Sequence, residues 1–185
     1  IMFYSFKENV LSSEFCDLLI KKAEEIGFSA SKVNIYGEMK EALNIRNNKR
    51  IEYTDKVLAK ELEFEIIKSF PEVLSFENKL FSDLNDHFRF YHYSPGEYFK
   101  PHKDGHTKLE TKESFITVLF YLNDTQDGET ILMPQGYSHK QSWIKITPTK
   151  GSVLLFEHKI WHEGKPVSSG EKIVLRSDLF YENSI

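Results

Sequence analysis

The sequence predicts an α+β protein that is mainly β: a double-stranded β-helix, or jelly roll, with N-terminal helices packed on one sheet. Two observations predict it. From His87 onward the chain runs through β-branched and aromatic stretches, HFRFYHY, FITVLFYL, ETILM, SWIKI, SVLLF and KIVLRSDLFY, broken by Gly, Pro, Asn and Asp. Many short strands of this texture fold as two packed antiparallel sheets. Before His87 the apolar residues recur instead at helical spacing.

The first helix is capped by Ser12 or Ser13, carries Phe15, Leu18, Leu19, Ala23 and Ile26 on its apolar face, and stops at Gly27. Cys16 lies near that face and reads as a small core residue, since no second cysteine supports redox chemistry. A second helix follows Thr54, turns Leu58, Leu62 and Ile66 inward, and ends before Pro71. Both helices buttress the sheet. The expected organisation is one domain over 1–185, with a helical buttress and first strands over 1–86 and the jelly-roll core over 87–181.

Composition narrows the function classes. A length of 185 residues with 40% hydrophobic and 28% charged residues is ordinary for a compact globular domain. A net charge of -4 gives no general attraction to phosphates, so no strong nucleic-acid signal is present. One cysteine permits no intramolecular disulfide, the start IMFYSFKENV lacks a basic region followed by a long apolar run, and no stretch approaches the length of a membrane helix. The expectation is a cytoplasmic protein without a membrane partner.

The chemistry lies in three residues. Side chains at i and i+2 of a strand share a face, so His102 and Asp104 can hold one ion together if that segment is extended. His162, sixty residues later, supplies a third ligand, because a jelly roll brings distant strands to one mouth. Two imidazoles and one carboxylate form the facial triad that leaves coordination positions open on Fe(II). His106 competes with His102, and His158 competes with His162. However, Gly105 is expected to end the first strand, and HKIWH pairs its histidines only if it is helical. His87, His92 and His139 read as surface or strand-edge residues. Lys172, Val174 and Arg176 share one face of the last strand, and buried cations demand an anionic partner.

Four ordered stretches carry a resemblance: Tyr93 to Gly105 (YSPGEYFKPHKDG), Thr117 to Asn123 with Gly128-Glu129-Thr130, Pro148 to Phe156 (PTKGSVLLF), and His162 to Lys172. Over residues 87–181 the chain resembles the 2-oxoglutarate and Fe(II)-dependent dioxygenases, in their prolyl 4-hydroxylase-like branch. The resemblance implies Fe(II) held by His102, Asp104 and His162, 2-oxoglutarate as cosubstrate, O2 as oxidant and ascorbate as a stimulant. It implies that Lys172, ten positions after His162, binds the distal carboxylate of 2-oxoglutarate. Tyr121 matches a tyrosine that binds the same carboxylate, and Tyr93 one that lines the cosubstrate pocket. Arg176 departs from the pattern, either forking onto that carboxylate or pairing with Asp178.

The implied reaction is oxidative decarboxylation of 2-oxoglutarate coupled to hydroxylation of an unactivated C–H bond. The leading substrate is a protein residue such as proline. The alternatives are a free amino acid or other small molecule, and a catalytically silent cupin-like metal-binding module, against which the full triad and retained cation argue. Trp161 and Phe156 are candidates for the pocket wall, with a plain core role the simpler reading. Arg46 to Arg50 (RNNKR) is polar and basic enough to line the mouth, or to form a solvated loop.

Overall fold

The computed structural model describes residues 2–30, 33–35 and 38–183. The N-terminal part contains β1 (Tyr4–Lys7), α1 (Ser13–Ile26), β2 (Ser29–Ala30), β3 (Val33–Ile35), β4 (Glu38–Lys40), β5 (Lys49–Thr54) and α2 (Lys56–Ser69). It continues through β6 (Ser75–Phe76), β7 (Lys79–Leu84), β8 (His87–Tyr93), β9 (Phe99–His102) and β10 (Lys112–Tyr121). The rest is β11 (Thr130–Met133), β12 (Ile144–Ile146), β13 (Val153–Glu157), β14 (Trp161–Gly164) and β15 (Lys172–Glu182).

Both helices begin and end as their sequences require. The Ser12 hydroxyl accepts the Phe15 amide at 3.1 Å, and Gly27, at φ +88°, closes α1. Asp55 caps α2 by accepting the Leu58 amide at 2.9 Å. Leu58, Leu62 and Ile66 are buried as expected. The apolar face of α1 is narrower than its sequence suggests: Cys16, Leu19 and Ala23 are buried, whereas Leu18 is 65% and Ile26 45% exposed. Successive helical residues turn by about 100°, which carries Leu18 off the 16/19/23 stripe, whereas Ile26 stays beside Leu19 in angle but is the last residue of the helix. Burial pushes the Cys16 thiol up to about 11, consistent with an inert core residue.

Two antiparallel sheets face each other. The larger runs β1-β13-β10-β15-β8-β5-β2, with β7 also on β15 and β6 on β7; the smaller runs β12-β11-β14-β9. Strand pleating splits the larger sheet's side chains between two cores. Val118, Phe120, Leu155, Leu175, Phe88 and Phe90 pack with α1 and α2 on the outer face. Leu119, Tyr121, Leu154, Phe156, Val174, Tyr91 and Tyr93 face inward, against Leu132 and Ile146 of the smaller sheet. This is the jelly roll with its helical buttress. The inward face of β15 also carries Lys172 and Arg176, so two cations enter the space between the sheets.

Candidate metal centre

β14 pairs antiparallel with β9 so that His162 lies directly opposite His102. The third candidate, Asp104, is not on the strand. β9 ends at His102, and Asp104 is placed in the following coil by its amide, which donates to the His158 carbonyl at 3.1 Å. The shared strand face expected for His102 and Asp104 is therefore replaced by a tertiary tether, yet the three side chains still converge. One ligand atom from each lies within 4.8 Å of the others. Asp104 Oδ1 is 3.7 Å from His102 Nε2, and Oδ2 is 3.5 Å from His162 Nε2.

The imidazoles are oriented by their own backbones. His102 Nδ1 donates to the Lys100 carbonyl at 2.8 Å, and His162 Nδ1 to the Ile160 carbonyl at 3.0 Å. A carbonyl oxygen only accepts, so each proton sits on Nδ1 and each Nε2 lone pair is free for a metal. The Phe99 ring stacks on His102, centroids 3.6 Å apart and planes 18° apart. Burial, then the neighbouring His162, lowers His102 to about 3, and burial also lowers His162, so both rings are neutral at pH 7. Burial alone would raise the Asp104 carboxyl. Arg176 and the two histidines outweigh it and hold Asp104 far below the usual carboxylate range. Two neutral nitrogens and one ionised carboxylate, already deprotonated and turned together, fit Fe(II).

The same cavity is lined by Tyr93, Thr130, Gly164, Lys172 and Arg176. Lys172 is 2% exposed; its Nζ donates to the Gly128 carbonyl at 2.8 Å and lies 4.2 Å from the Tyr93 ring centroid. Among the described residues no carboxylate lies within ion-pair distance of it. Burial without a counter-charge disfavours the ammonium, and an incoming anion would stabilise it. Gly164 leaves the space: a Cβ there would come within 3.4 Å of the Tyr93 hydroxyl and 3.7 Å of Lys172 Nζ.

Residues 88–177, which contain all of these groups, match the family model of the 2OG-Fe(II) oxygenase superfamily. This core belongs to that superfamily. Fe(II), 2-oxoglutarate and O2 are accordingly the cofactors of this oxygenase. Its fold is similar to that of the viral collagen prolyl hydroxylase vCPH from Paramecium Bursaria Chlorella virus-1, solved as a 2OG complex, with 22% identity over 96% of each chain and a TM-score of 0.63. A prolyl hydroxylase from Trichoplax adhaerens, solved with a peptide fragment of the hypoxia inducible factor oxygen degradation domain, is 19% identical over 96% of this chain and 83% of its own, with a TM-score of 0.72. SnoK, a carbocyclase from nogalamycin biosynthesis, is 12% identical over 98% of this chain and 80% of its own, with a TM-score of 0.67. At these identities the likeness is one of fold. A search of curated proteins finds no match.

Two residues of the oxygenase stand differently from expectation. Arg176 has both ends of its fork occupied, Nη1 at 3.1 Å from Asp104 Oδ1 and Nη2 at 3.2 Å from Asp178 Oδ1. The pairing with Asp178, one of the two arrangements expected for Arg176, thus extends to a candidate ligand, and both terminal nitrogens are engaged by carboxylates. Tyr121 is fully buried with its hydroxyl 2.6 Å from that of Thr130, and Thr130, not Tyr121, lines the cavity. A phenol on the inward face of β10 reaches only as far as the β11 side chain in front of it.

The remaining candidates separate clearly. His106 is exposed and pairs with Glu113; His139 is exposed; His92 bonds Glu171 at 2.7 Å. His158 is buried in a turn rather than a helix and bonds Thr117 and Ser114. Phe156 borders the site, its ring centroid 4.5 Å from that of His162, while Trp161 is 38% exposed beneath Lys103. Arg46 is buried over the Phe99 ring at 4.0 Å, and its segment is stitched to β9 by the Lys100 amide on the Ile45 carbonyl. It is no solvated loop. Thr117, Thr130 and Phe99 were not singled out as site residues by sequence reasoning, and His158 was weighed only as a competitor of His162. For Thr117 the signal was a polar residue inside the apolar run FITVLFYL, which says that a partner exists but not which.

Proposed function

We propose that this oxygenase hydroxylates an unactivated C–H bond of a protein residue such as proline, at the expense of 2-oxoglutarate and O2. The observation that carries the reading is one cavity holding both the His102, Asp104 and His162 donor set and the uncompensated ammonium of Lys172. In this reading His102, Asp104 and His162 would hold the iron. Lys172 takes the distal carboxylate of 2-oxoglutarate, beside the Thr130 hydroxyl that Tyr121 orients. Leu119, Val174 and Phe99 present apolar walls that keep water from the reacting centre. Iron, 2-oxoglutarate and O2 supply the oxidising power, yielding succinate, CO2 and a hydroxylated substrate, while the protein supplies position.

Support for a protein substrate comes from the four motifs shared with the prolyl 4-hydroxylase-like branch and from the prolyl hydroxylases among the structures of similar fold. A small-molecule substrate is the second reading, favoured by the likeness to SnoK. The test is succinate release from 2-oxoglutarate under air with Fe(II) and ascorbate, alone and with panels of proline-containing peptides and free amino acids. Slow turnover without substrate, rising with a peptide that gains one oxygen atom by mass spectrometry, is the expected result. Stimulation by free amino acids alone would transfer the activity to the second reading, and iron-loaded protein that neither turns over nor binds 2-oxoglutarate would remove both.

A further inference from the structure

The Asp104 carboxylate rests on a buried hydrogen-bond chain. The Thr117 hydroxyl, on the inward face of β10, is 2.7 Å from Asp104 Oδ2 and 2.8 Å from His158 Nδ1. His158 Nε2 is 3.0 Å from the Ser114 hydroxyl, and Ser114 Oγ accepts the Thr107 amide at 2.9 Å. Thr117 and Ser114 have no exposed surface, and His158 has 5%.

Counting protons gives the chain a direction. An ionised carboxylate only accepts, so the single hydroxyl proton of Thr117 points to Asp104. Thr117 Oγ1 then offers His158 only lone pairs, and Nδ1 must donate. A neutral imidazole carries one N–H, so Nε2 accepts from Ser114, whose oxygen in turn accepts from the backbone. Reversing either His158 link puts the ring proton on Nε2, turns the single Thr117 proton to Nδ1 and leaves Asp104 Oδ2 without its bond. His158 also grips Asp104 a second way, through the carbonyl that accepts the Asp104 amide at 3.1 Å. Its turn is closed by the Ile160 amide on the Glu157 carbonyl at 3.0 Å, and Ile160 in turn orients His162. The run from His158 to His162 therefore touches two of the three candidate ligands.

We propose that His158 is a positioning residue of the iron site: its Nδ1–H, acting through Thr117, fixes Asp104 Oδ2 while Arg176 fixes Oδ1, so the carboxylate meets the metal in one orientation. This rests on Asp104 being an iron ligand. Conserving the donor at Nδ1 should then matter more than conserving the one at Nε2. In His158→Asn the side-chain amide occupies the place of Nδ1, whereas in His158→Gln it extends to the place of Nε2.

The experiment is Mn(II) titration of the full chain by calorimetry, without 2-oxoglutarate, for the parent, His158→Asn, His158→Gln, Thr117→Val, the Thr117→Val/His158→Gln double variant and Asp104→Ala. Circular dichroism of the metal-free proteins verifies folding, and Co(II) absorption reports ligand geometry. His158→Gln and Thr117→Val should each weaken Mn(II) binding by about tenfold or more, the scale of lost outer-sphere partners, and change the Co(II) spectrum. His158→Asn should stay near the parent in both. The double variant should be no weaker than Thr117→Val alone, because the imidazole acts through that hydroxyl. Equal behaviour of Asn and Gln, or additive losses in the double variant, would overturn the proposal. Undiminished Mn(II) binding in Asp104→Ala would instead overturn the ligand assignment on which it rests.

Discussion

Lys172 holds its proton weakly for a lysine: burial, only partly offset by Glu129, brings it down to about 7. An incoming carboxylate stabilises the charged form, so binding above pH 7 must draw a proton from solution. The sign follows. Affinity for 2-oxoglutarate should be greatest below pH 7, where the ammonium is already formed, and should fall by up to about tenfold per pH unit above it. Calorimetry in buffers of different ionisation enthalpy checks this through the proton taken up. Lys172→Ala should flatten the profile and raise the 2-oxoglutarate requirement by orders of magnitude while sparing metal affinity. Arg176 belongs to the other end of the cavity. Its removal leaves Asp104 and Asp178 buried without their shared cation, a loss of about 3–5 kcal/mol for a broken buried pair. Arg176→Ala should therefore lower the denaturant midpoint and Mn(II) affinity, with the 2-oxoglutarate requirement nearly unchanged once metal is saturating. A larger 2-oxoglutarate defect in Arg176→Ala than in Lys172→Ala would reverse the two roles.

At the level of elements, the loop between β10 and β11 sets the height of the Lys172 ammonium. Gly128, at φ +77°, offers its carbonyl to Nζ, and a Cβ there would lie 2.3 Å from Val167 Cγ1. Neither the backbone angle nor the space admits a side chain, so Gly128→Ala should cost about 1–3 kcal/mol of stability. It should also weaken 2-oxoglutarate binding by displacing the carbonyl. Urea unfolding and cosubstrate titration on the same variant measure both, and loss of stability with intact cosubstrate affinity would detach the loop from the site. The elements also show how far the sequence could be read. Ser12, Gly27 and Pro71 mark helix ends by local chemistry, and the strand runs after His87 announce themselves by residue type. His102, Asp104 and His162 were legible because few residue types bind iron and a two-sheet fold must bring them to one end. What depended on distant partners was not legible: that β9 stops at His102, that Asp104 hangs from the His158 carbonyl, and that Thr130 stands in front of Tyr121.

Across the whole molecule, the two layers differ in how well they are tied. β10 and β15 lie inside the larger sheet, paired on both sides and covered by α1 and α2 on one face. β9 is the last strand of the smaller sheet; it pairs with β14, and beyond that meets the Ile45 and Arg46 segment. Because His102 and His162 face each other across that single pairing, an ion between them acts as a rivet through the rim of the sandwich. Taking the ion out should slacken the rim and leave the interior tight. Hydrogen exchange at Phe99–His102 should speed up in the chelated protein, while β10 and β15 keep their protection. Uniform acceleration across both sheets would place the ion's influence in the fold as a whole. The rivet also makes the rim a gauge of its own occupancy: a protease that cuts just past His102 would distinguish charged from empty oxygenase without any turnover.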